Sequence, residues 1–163
     1  VTADQISQNK IKGETISMYR RFFLAVLAVC IFAAGPVMAG EKVHRLVLQI
    51  SDNDPQKMNT VLNVATNISR YYSSRGEEIE VEVVAFNKGL HMLRADTSGV
   101  KKRISAFAPG MVNVSFKACG VTMKGMAKKE GKKPELFDFV EVVPAGVAQI
   151  MTRDEAGWTI VRP

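Results

Sequence analysis

The sequence predicts a single α/β domain, built on a mostly parallel five-stranded sheet with helices on both faces. After the first forty residues, short apolar stretches typical of buried strands alternate with stretches whose apolar residues recur at helical spacing, in the order β-α-β-α-β-α-β-α-β. A chain of 163 residues with 47% hydrophobic residues is long enough to bury one sizeable core. No internal repeat or low-complexity linker divides residues 40–163, so we expect one domain there.

Residues 18–39 have the layout of a secretory signal peptide. The short basic segment Met18-Tyr-Arg-Arg precedes an apolar run at residues 22–34, and Gly35-Pro36 then breaks the run. We therefore expect cleavage after Ala39, a periplasmic or secreted domain at residues 40–163, and an upstream extension at residues 1–17. The alternative is an uncleaved anchor, but the apolar run is shorter than the ~20 residues that span a bilayer.

Residues 44–51 predict the first strand, and Asp54-Pro55 predicts the start of the first helix. Asp54 offers an N-cap oxygen, and Pro55 suits the first helical position. The apolar period extends this helix to about Tyr72. Further strands are predicted at residues 77–86, 112–118, 139–143 and 158–161, with helices at 100–108, 120–129 and 147–154 and a short helical turn at 90–93.

Side-chain patterns predict which helix faces are buried. Asn59, Asn63 and Asn67 form a polar stripe on the first helix, for which a solvated face is the simplest interpretation and a ligand or subunit contact is the alternative. The basic run at residues 101–103 is likewise expected to face solvent. Three apolar residues of the last helix share one side: Val147, Ile150 and Met151.

The carboxyl ends of parallel strands lie at one edge of a sheet, where α/β proteins usually bind their ligands. Four loops of this chain are predicted to meet there, at residues 52–54, 87–89, 119–120 and 144–146. Polar groups and glycines in and beside these loops form a candidate ligand pocket. Its predicted residues are Asp52, Asn53, Asn87, Gly89, His91 and Gly120.

Cys119 is the one nucleophile that these loops offer. It falls where a predicted strand ends and a predicted helix begins, and the positive end of the helix dipole favours a thiolate there. If Cys30 is removed with the signal peptide, the mature chain has one cysteine and no internal disulfide, which favours a free reactive thiol or intermolecular pairing. The alternative is a buried, inert cysteine that fills space.

Several other chemistries lack their sequence signatures. The chain has no glycine-rich nucleotide motif, no GxSxG and no cysteine pair, so we expect no cofactor and no metal. A Cys-His hydrolase would require His44 or His91 beside Cys119. The chain has a formal net charge of +6, but residues 40–163 carry 18 Lys+Arg and 14 Asp+Glu, and this net charge of +4 permits an anionic ligand or an acidic partner. Because no aromatic residues interleave with the basic cluster, we expect no nucleic-acid partner.

Several segments together resemble the DsrE/DsrF-like family, which includes the YchN-like proteins. They are LVLQISDNDPQKMNTVLNVATN, EVEVVAFNKGLHML, VSFKACGVTM and VPAGVAQIM with the ending GWTIVRP, and they cover roughly residues 44–163. The resemblance implies a compact domain with flavodoxin-like layering that assembles as an oligomer. It also implies a persulfide-carrying role for Cys119 and sulfur exchange with partner proteins. Characterised relays of this family work in the cytoplasm, whereas this chain carries an export signal.

Two functions of different kinds follow from these observations. The first is a periplasmic sulfur carrier or sulfurtransferase that acts through Cys119 and exchanges sulfur with a donor and an acceptor. The second is a non-catalytic, oligomeric binding module for a small ligand or a protein, in which Cys119 is structural. In both cases we expect a homo-oligomer with no membrane span after cleavage of the signal peptide.

Overall fold

The computed structural model describes residues 43–163. The predicted upstream extension, the signal peptide and Cys30 lie outside these described residues. The strands are β1 (His44–Ile50), β2 (Ile79–Ala85), β3 (Val114–Cys119), β4 (Val140–Val143) and β5 (Thr159–Val161). The α-helices are α1 (Pro55–Ser73), α2 (Lys101–Phe107), α3 (Gly120–Glu130) and α4 (Gly146–Glu155), with 3-10 helices at Asn87–Leu93 and Ala108–Gly110.

All five strands form one sheet in the order β4-β3-β2-β1-β5, and every neighbouring pair is parallel. The steps from β1 to β2, β3 and β4 all move the same way across the sheet. Right-handed crossovers therefore place their connections on one face, which we call the first face. The return from β4 to β5 moves the opposite way, so α4 lies on the second face. The predicted single α/β domain with helices on both faces is confirmed.

The main hydrophobic core lies between the first face and the helices α1, α2 and α3. Side chains alternate along each strand, so Leu46, Leu48 and Ile50 of β1 all point to this face. They pack with residues of α1 that the helical period had predicted to be buried. The buried residues of α1 in this core are Met58, Val61, Leu62 and Ala65.

The predicted start of α1 is confirmed by its capping geometry. Asp54 accepts a hydrogen bond of 2.8 Å from the backbone N–H of Gln56, and Pro55 occupies the first helical position. Such a cap satisfies a backbone donor that the helix itself cannot pair. The loop that ends β1 is thereby fixed at the carboxyl edge of the sheet.

The apolar side that the sequence gives to α4 is mostly exposed. Val147 and Met151 are 54% and 57% exposed, and Ile150 is half-buried. The inward side of α4 carries polar residues instead, because Gln149 and Arg153 bind the buried Glu82 of β2. Hydrophobic periodicity cannot identify a helix face that is held by hydrogen bonds.

Two expectations about exposure need correction. Asn63 and Asn67 of the polar stripe on α1 are exposed, as expected, but Asn59 is half-buried, and Arg103 donates hydrogen bonds of 2.6 Å to the Oδ1 atoms of both Asn59 and Asn63. This contact joins α2 to α1 and removes Arg103 from the solvated basic run. Val112 was predicted to lie within the third strand, but it is 96% exposed, and β3 begins at Val114.

Arg94 is the largest fully buried side chain of the described residues. Its guanidinium forms two hydrogen bonds to Asp96 and two to Glu130, at 2.7 to 2.9 Å. Hydrogen bonds from Arg94 lower the pKa of Asp96 to about 2 and also lower the pKa of Glu130. The network ties the carboxyl end of α3 to the segment after the 3-10 helix. Among residues 43–163, no helix combines the length and apolar character needed to cross a membrane.

Replacing Arg94 with methionine should lower the free energy of unfolding at pH 7 by about 3 kcal/mol, because two carboxylates lose their buried partner. The native pKa of Asp96 is depressed, so this carboxylate contributes its full stabilisation above about pH 4 and loses it as the pH falls towards 2. The acid-dependent loss should therefore be smaller in Arg94→Met than in the wild type. Urea unfolding at a series of pH values measures both effects.

Arg45→Met is the matched control for Arg94→Met. Arg45 forms an exposed ion pair of 3.4 Å with Glu80, for which a loss below about 1 kcal/mol is expected. Equal losses in the two variants would contradict a special role for the buried network.

Candidate functional site

Cys119 lies at the topological switch point of the sheet. It is the last residue of β3 and pairs in register with Val143, the last residue of β4. The chain leaves β3 towards α3 on the first face, and it leaves β4 towards α4 on the second face. In open α/β sheets, ligands bind in the crevice that forms where neighbouring connections diverge in this way. The strand order therefore places the predicted nucleophile at the expected functional position.

The α3 side of the site supplies donors to the sulfur. Cys119 is the N-cap residue of α3, and its Sγ accepts a hydrogen bond of 3.5 Å from the backbone N–H of Thr122. The backbone N–H of Val121 and the hydroxyl of Thr122 also favour the ionised sulfur and lower its pKa. A serine or aspartate would ordinarily occupy such a cap position, so the thiol here replaces the usual oxygen acceptor.

Asn87 orients the Thr122 hydroxyl. The backbone N–H of Asn87 donates a hydrogen bond of 3.0 Å to Thr122 Oγ1, which occupies a lone pair of that oxygen and leaves its proton for the sulfur of Cys119. Asn87 has a φ of 48°, the left-handed conformation that asparagine tolerates better than most residues. The structure thus places this predicted pocket residue behind the thiol, where it acts through Thr122.

The α4 side of the site approaches the sulfur through Gly146. The N-cap residue Ala145 makes no side-chain cap, and Gly146, the first residue of α4, packs directly against Cys119. A Cβ atom added to Gly146 would lie 3.1 Å from Cys119 Cβ and 3.2 Å from Phe86 Cβ. A larger residue at position 146 would therefore require Cys119 or Phe86 to shift by a few tenths of an ångström.

The electrostatics of the site favour the thiolate. Burial raises the pKa of the Cys119 thiol, but hydrogen bonds from the Thr122 hydroxyl and from the N–H groups of Gly146, Thr122 and Val121 outweigh it, so the pKa lies below its ordinary value. The amino-terminal ends of α3 and α4 both face this sulfur, and their dipoles favour negative charge. Lys117 contributes little, because it is bonded to Glu141.

The histidines do not form a catalytic pair with Cys119. His44 lies at the start of β1, where it stacks on Tyr72 and hydrogen bonds to Glu77 at 2.8 Å. His91 hydrogen bonds to Thr97 at 2.8 Å through Nδ1. Burial, followed by the nearby Arg94, lowers the pKa of His91. A Cys-His hydrolase therefore has no support in the contacts of residues 43–163.

The remaining predicted pocket residues do not form one common pocket. Asp52, Asn53 and His91 line one cavity of about 680 Å³ at the carboxyl edge. Gly120 packs beside Cys119 against the carbonyl oxygen of Val143. Gly89 has no room for a side chain, since an added Cβ would lie 2.3 Å from the carbonyl oxygen of Ile50. The carboxyl edge therefore holds a thiol site and a separate cavity, and binding at either stays a prediction.

The cavity beside the thiol site is lined by charged side chains of both signs. Two of its three carboxylates have charged partners, since Asp52 accepts from Lys57 at 2.7 Å and Glu130 accepts from the buried Arg94, while Asp54 accepts from the backbone N–H of Gln56. Lys88 and Lys129 also line it and form no ion pair within residues 43–163. The unneutralised charge of the cavity is therefore positive. Among the described residues, no group of three or more potential ligands could hold a metal ion.

Sequence reasoning missed two residues that contact the sulfur, Thr122 and Gly146. The spacing of a cap residue and a polar side chain three positions later, as in Cys119 and Thr122, is the spacing of a capping box and could have identified the threonine. Nothing in the sequence indicates that α4 begins against Cys119, because this contact depends on the strand order.

A solved structure has a similar fold. It is that of MTH1491, a protein of unknown function from Methanobacterium thermoautotrophicum, which is 28% identical in sequence with a TM-score of 0.63. The match covers 74% of this chain and 99% of MTH1491. No protein-family model matches the chain, and no curated protein matches it. The similarity supports the α/β architecture.

Gly146→Ala should slow the reaction of Cys119 with iodoacetamide at pH 7 by about fivefold, because the added methyl group must push the first N–H of α4 away from the sulfur. The midpoint of the pH–rate profile should move to higher pH. The matched control is Gly125→Ala, since an added Cβ at Gly125 in α3 meets nothing within 4 Å. A profile identical to that of the wild type in Gly146→Ala would contradict the assigned contact.

Proposed function

We propose that this chain is an exported DsrE-like protein that carries sulfur as a persulfide on Cys119. The observation that carries the proposal is the convergence of two helix amino termini and a hydroxyl donor on one thiol. These donors stabilise a thiolate without a metal or a catalytic base, and a thiolate is the species that attacks sulfur. The resemblance of the ACGVTM segment to the DsrE/DsrF-like family supports the same role.

The proposed transfer needs no external oxidant or reductant. The Cys119 thiolate attacks the outer sulfur of a donor persulfide, R–S–SH, so that a new S–S bond forms on Cys119 while the donor S–S bond breaks. The leaving group is the donor thiolate, R–S⁻, and the outer sulfur keeps its proton. An acceptor thiolate then attacks this outer sulfur in the same way and restores the Cys119 thiolate.

The burial of Cys119 restricts how partners reach it. The residue is only 5% exposed, so a donor must present its sulfur at the small uncovered part of Sγ. In the persulfide, the outer sulfur would extend a further ~2 Å from the protein, which makes delivery easier than loading. We place this chemistry in the periplasm or outside the cell, with a donor and acceptor of that compartment. Exposed apolar residues beside the site, Val121 and Val142, support a protein contact or a homo-oligomer.

Mass spectrometry of the native protein after incubation with a low-molecular-weight persulfide should show the addition of one sulfur atom. Cys119→Ser should show none, because it keeps the size of the side chain nearly unchanged and removes the nucleophile. Alkylation of the folded wild type at neutral pH should be fast compared with that of an unperturbed thiol. If Cys119 reacts only after denaturation, the sulfur-carrier proposal fails.

The cavity lined by Asp52, Asn53 and His91 supports a second candidate function, the binding of a small anion. The favouring observation is that Lys88 and Lys129 form no ion pair within residues 43–163, whereas Asp54 is the one lining carboxylate without a charged partner there. In this function Cys119 is structural, and Cys119→Ala should leave binding intact.

Titration with pyrophosphate at low ionic strength, followed by calorimetry, tests the anion site. The Lys88→Met/Lys129→Met variant should bind at least about tenfold more weakly, because two charge-assisted contacts are lost. The control is Lys101→Met/Lys102→Met on α2, which removes the same charge outside the cavity. Equal weakening in both variants, or no saturable binding by the wild type, would exclude a specific site.

A further inference from the structure

Glu82 is a buried acidic residue in the middle of β2, and it faces α4. It is 1% exposed, and both of its carboxylate oxygens are occupied. Oε1 accepts a hydrogen bond of 2.8 Å from Gln149, and Oε2 accepts bonds of 2.9 and 3.1 Å from Arg153. Arg153 also lies over the ring of Trp158, with its Cζ atom 4.8 Å from the ring centroid. The carboxylate therefore forms hydrogen bonds with α4 at two successive turns.

Hydrophobic packing holds α4 less firmly than it holds the helices of the first face. No residue of α4 belongs to the main hydrophobic core or to the half-buried shell around it, whereas α1, α2 and α3 all contribute residues. Gly146 is the one buried residue of α4. Glu82 therefore contributes to the position of α4 on the sheet, together with Val47 and Val84, which are fully buried on the same face.

The position of α4 matters to the thiol. Glu82 and Cys119 lie on the same face of the neighbouring strands β2 and β3, since Glu82 pairs with Ser115 and side chains alternate along β3. The helix extends along this face from Gly146, at the sulfur, to Arg153, at Glu82. Because a helix is stiff, holding α4 at Arg153 also fixes the position of its amino terminus at Gly146.

We infer that Glu82 is a positioning residue for Cys119: by binding Gln149 and Arg153 it holds the amino terminus of α4, at Gly146, against the cysteine. This inference rests on the proposed function for its biological meaning, but the geometry it describes can be measured independently. A purely structural Glu82 would affect only the stability of the protein. A positioning Glu82 also sets how readily the thiol ionises.

The experiment titrates the Cys119 thiolate by its ultraviolet absorbance in the folded protein, with tyrosine ionisation subtracted using Cys119→Ser. Glu82→Gln keeps the size of the side chain but presents an amide to Arg153. We expect the titration midpoint to move to higher pH and the alkylation rate at pH 7 to fall about fivefold. Arg153→Met, at a half-buried position that tolerates substitution more easily, should shift the midpoint in the same direction.

Two comparisons separate positioning from a loss of stability. Met58→Ala destabilises the core on the other face, where Met58 is fully buried in α1, and it should leave the titration midpoint unchanged. Adding Glu82→Gln to Gly146→Ala should have less effect than Glu82→Gln alone, because both changes act on the same contact between α4 and Cys119. Thermal unfolding confirms that each variant is folded under the conditions of the titration.

The outcomes distinguish this inference from the sulfur-carrier proposal. An unchanged midpoint in folded Glu82→Gln and Arg153→Met, or an equal shift in Met58→Ala, overturns the positioning role while sulfur loading by the wild type remains intact. Absence of sulfur loading by the wild type overturns the carrier proposal. A shifted titration midpoint in both Glu82→Gln and Arg153→Met still establishes the positioning role.

Discussion

The handedness of the crossover connections is the constraint on which the rest of the structure depends. Three right-handed steps in one direction place α1, α2 and α3 on the first face of the sheet, and the reversed final step places α4 on the second. The two helices that follow β3 and β4 therefore begin on opposite sides of the same crevice. Cys119 lies between their amino termini because of this reversal.

The two faces of the sheet are stabilised by different physical interactions. The first face buries an extensive apolar core, while α4 on the second face is held by a carboxylate inside a hydrogen-bonded network. Apolar packing tolerates small shifts, whereas hydrogen bonds of this kind are directional and lose strength steeply with misalignment. Holding α4 by Glu82 thus suits a helix whose amino terminus must meet a single cysteine.

The fold and the location of Cys119 could be predicted because they depend on local patterns. Apolar alternation located the strands, and Asp54-Pro55 located the start of α1. The environment of the thiol could not be predicted in the same way. Gly146 contacts Cys119 only because β3 and β4 are neighbours, and Glu82 lies in a segment whose alternating charges resemble an exposed strand. These contacts join residues far apart in the chain.

The sulfur of Cys119 caps α3, and the amino terminus of α4 packs against the same residue, which links the chemistry of the thiol thermodynamically to folding. A thiol whose pKa is lower in the folded than in the unfolded protein stabilises the fold when it is ionised, and this contribution is lost as the pH falls through the folded pKa. Conversely, any reaction that neutralises the sulfur removes the negative charge of the thiolate from the amino termini of α3 and α4. Ionisation or modification of this one sulfur atom therefore changes the stability of α3 and α4.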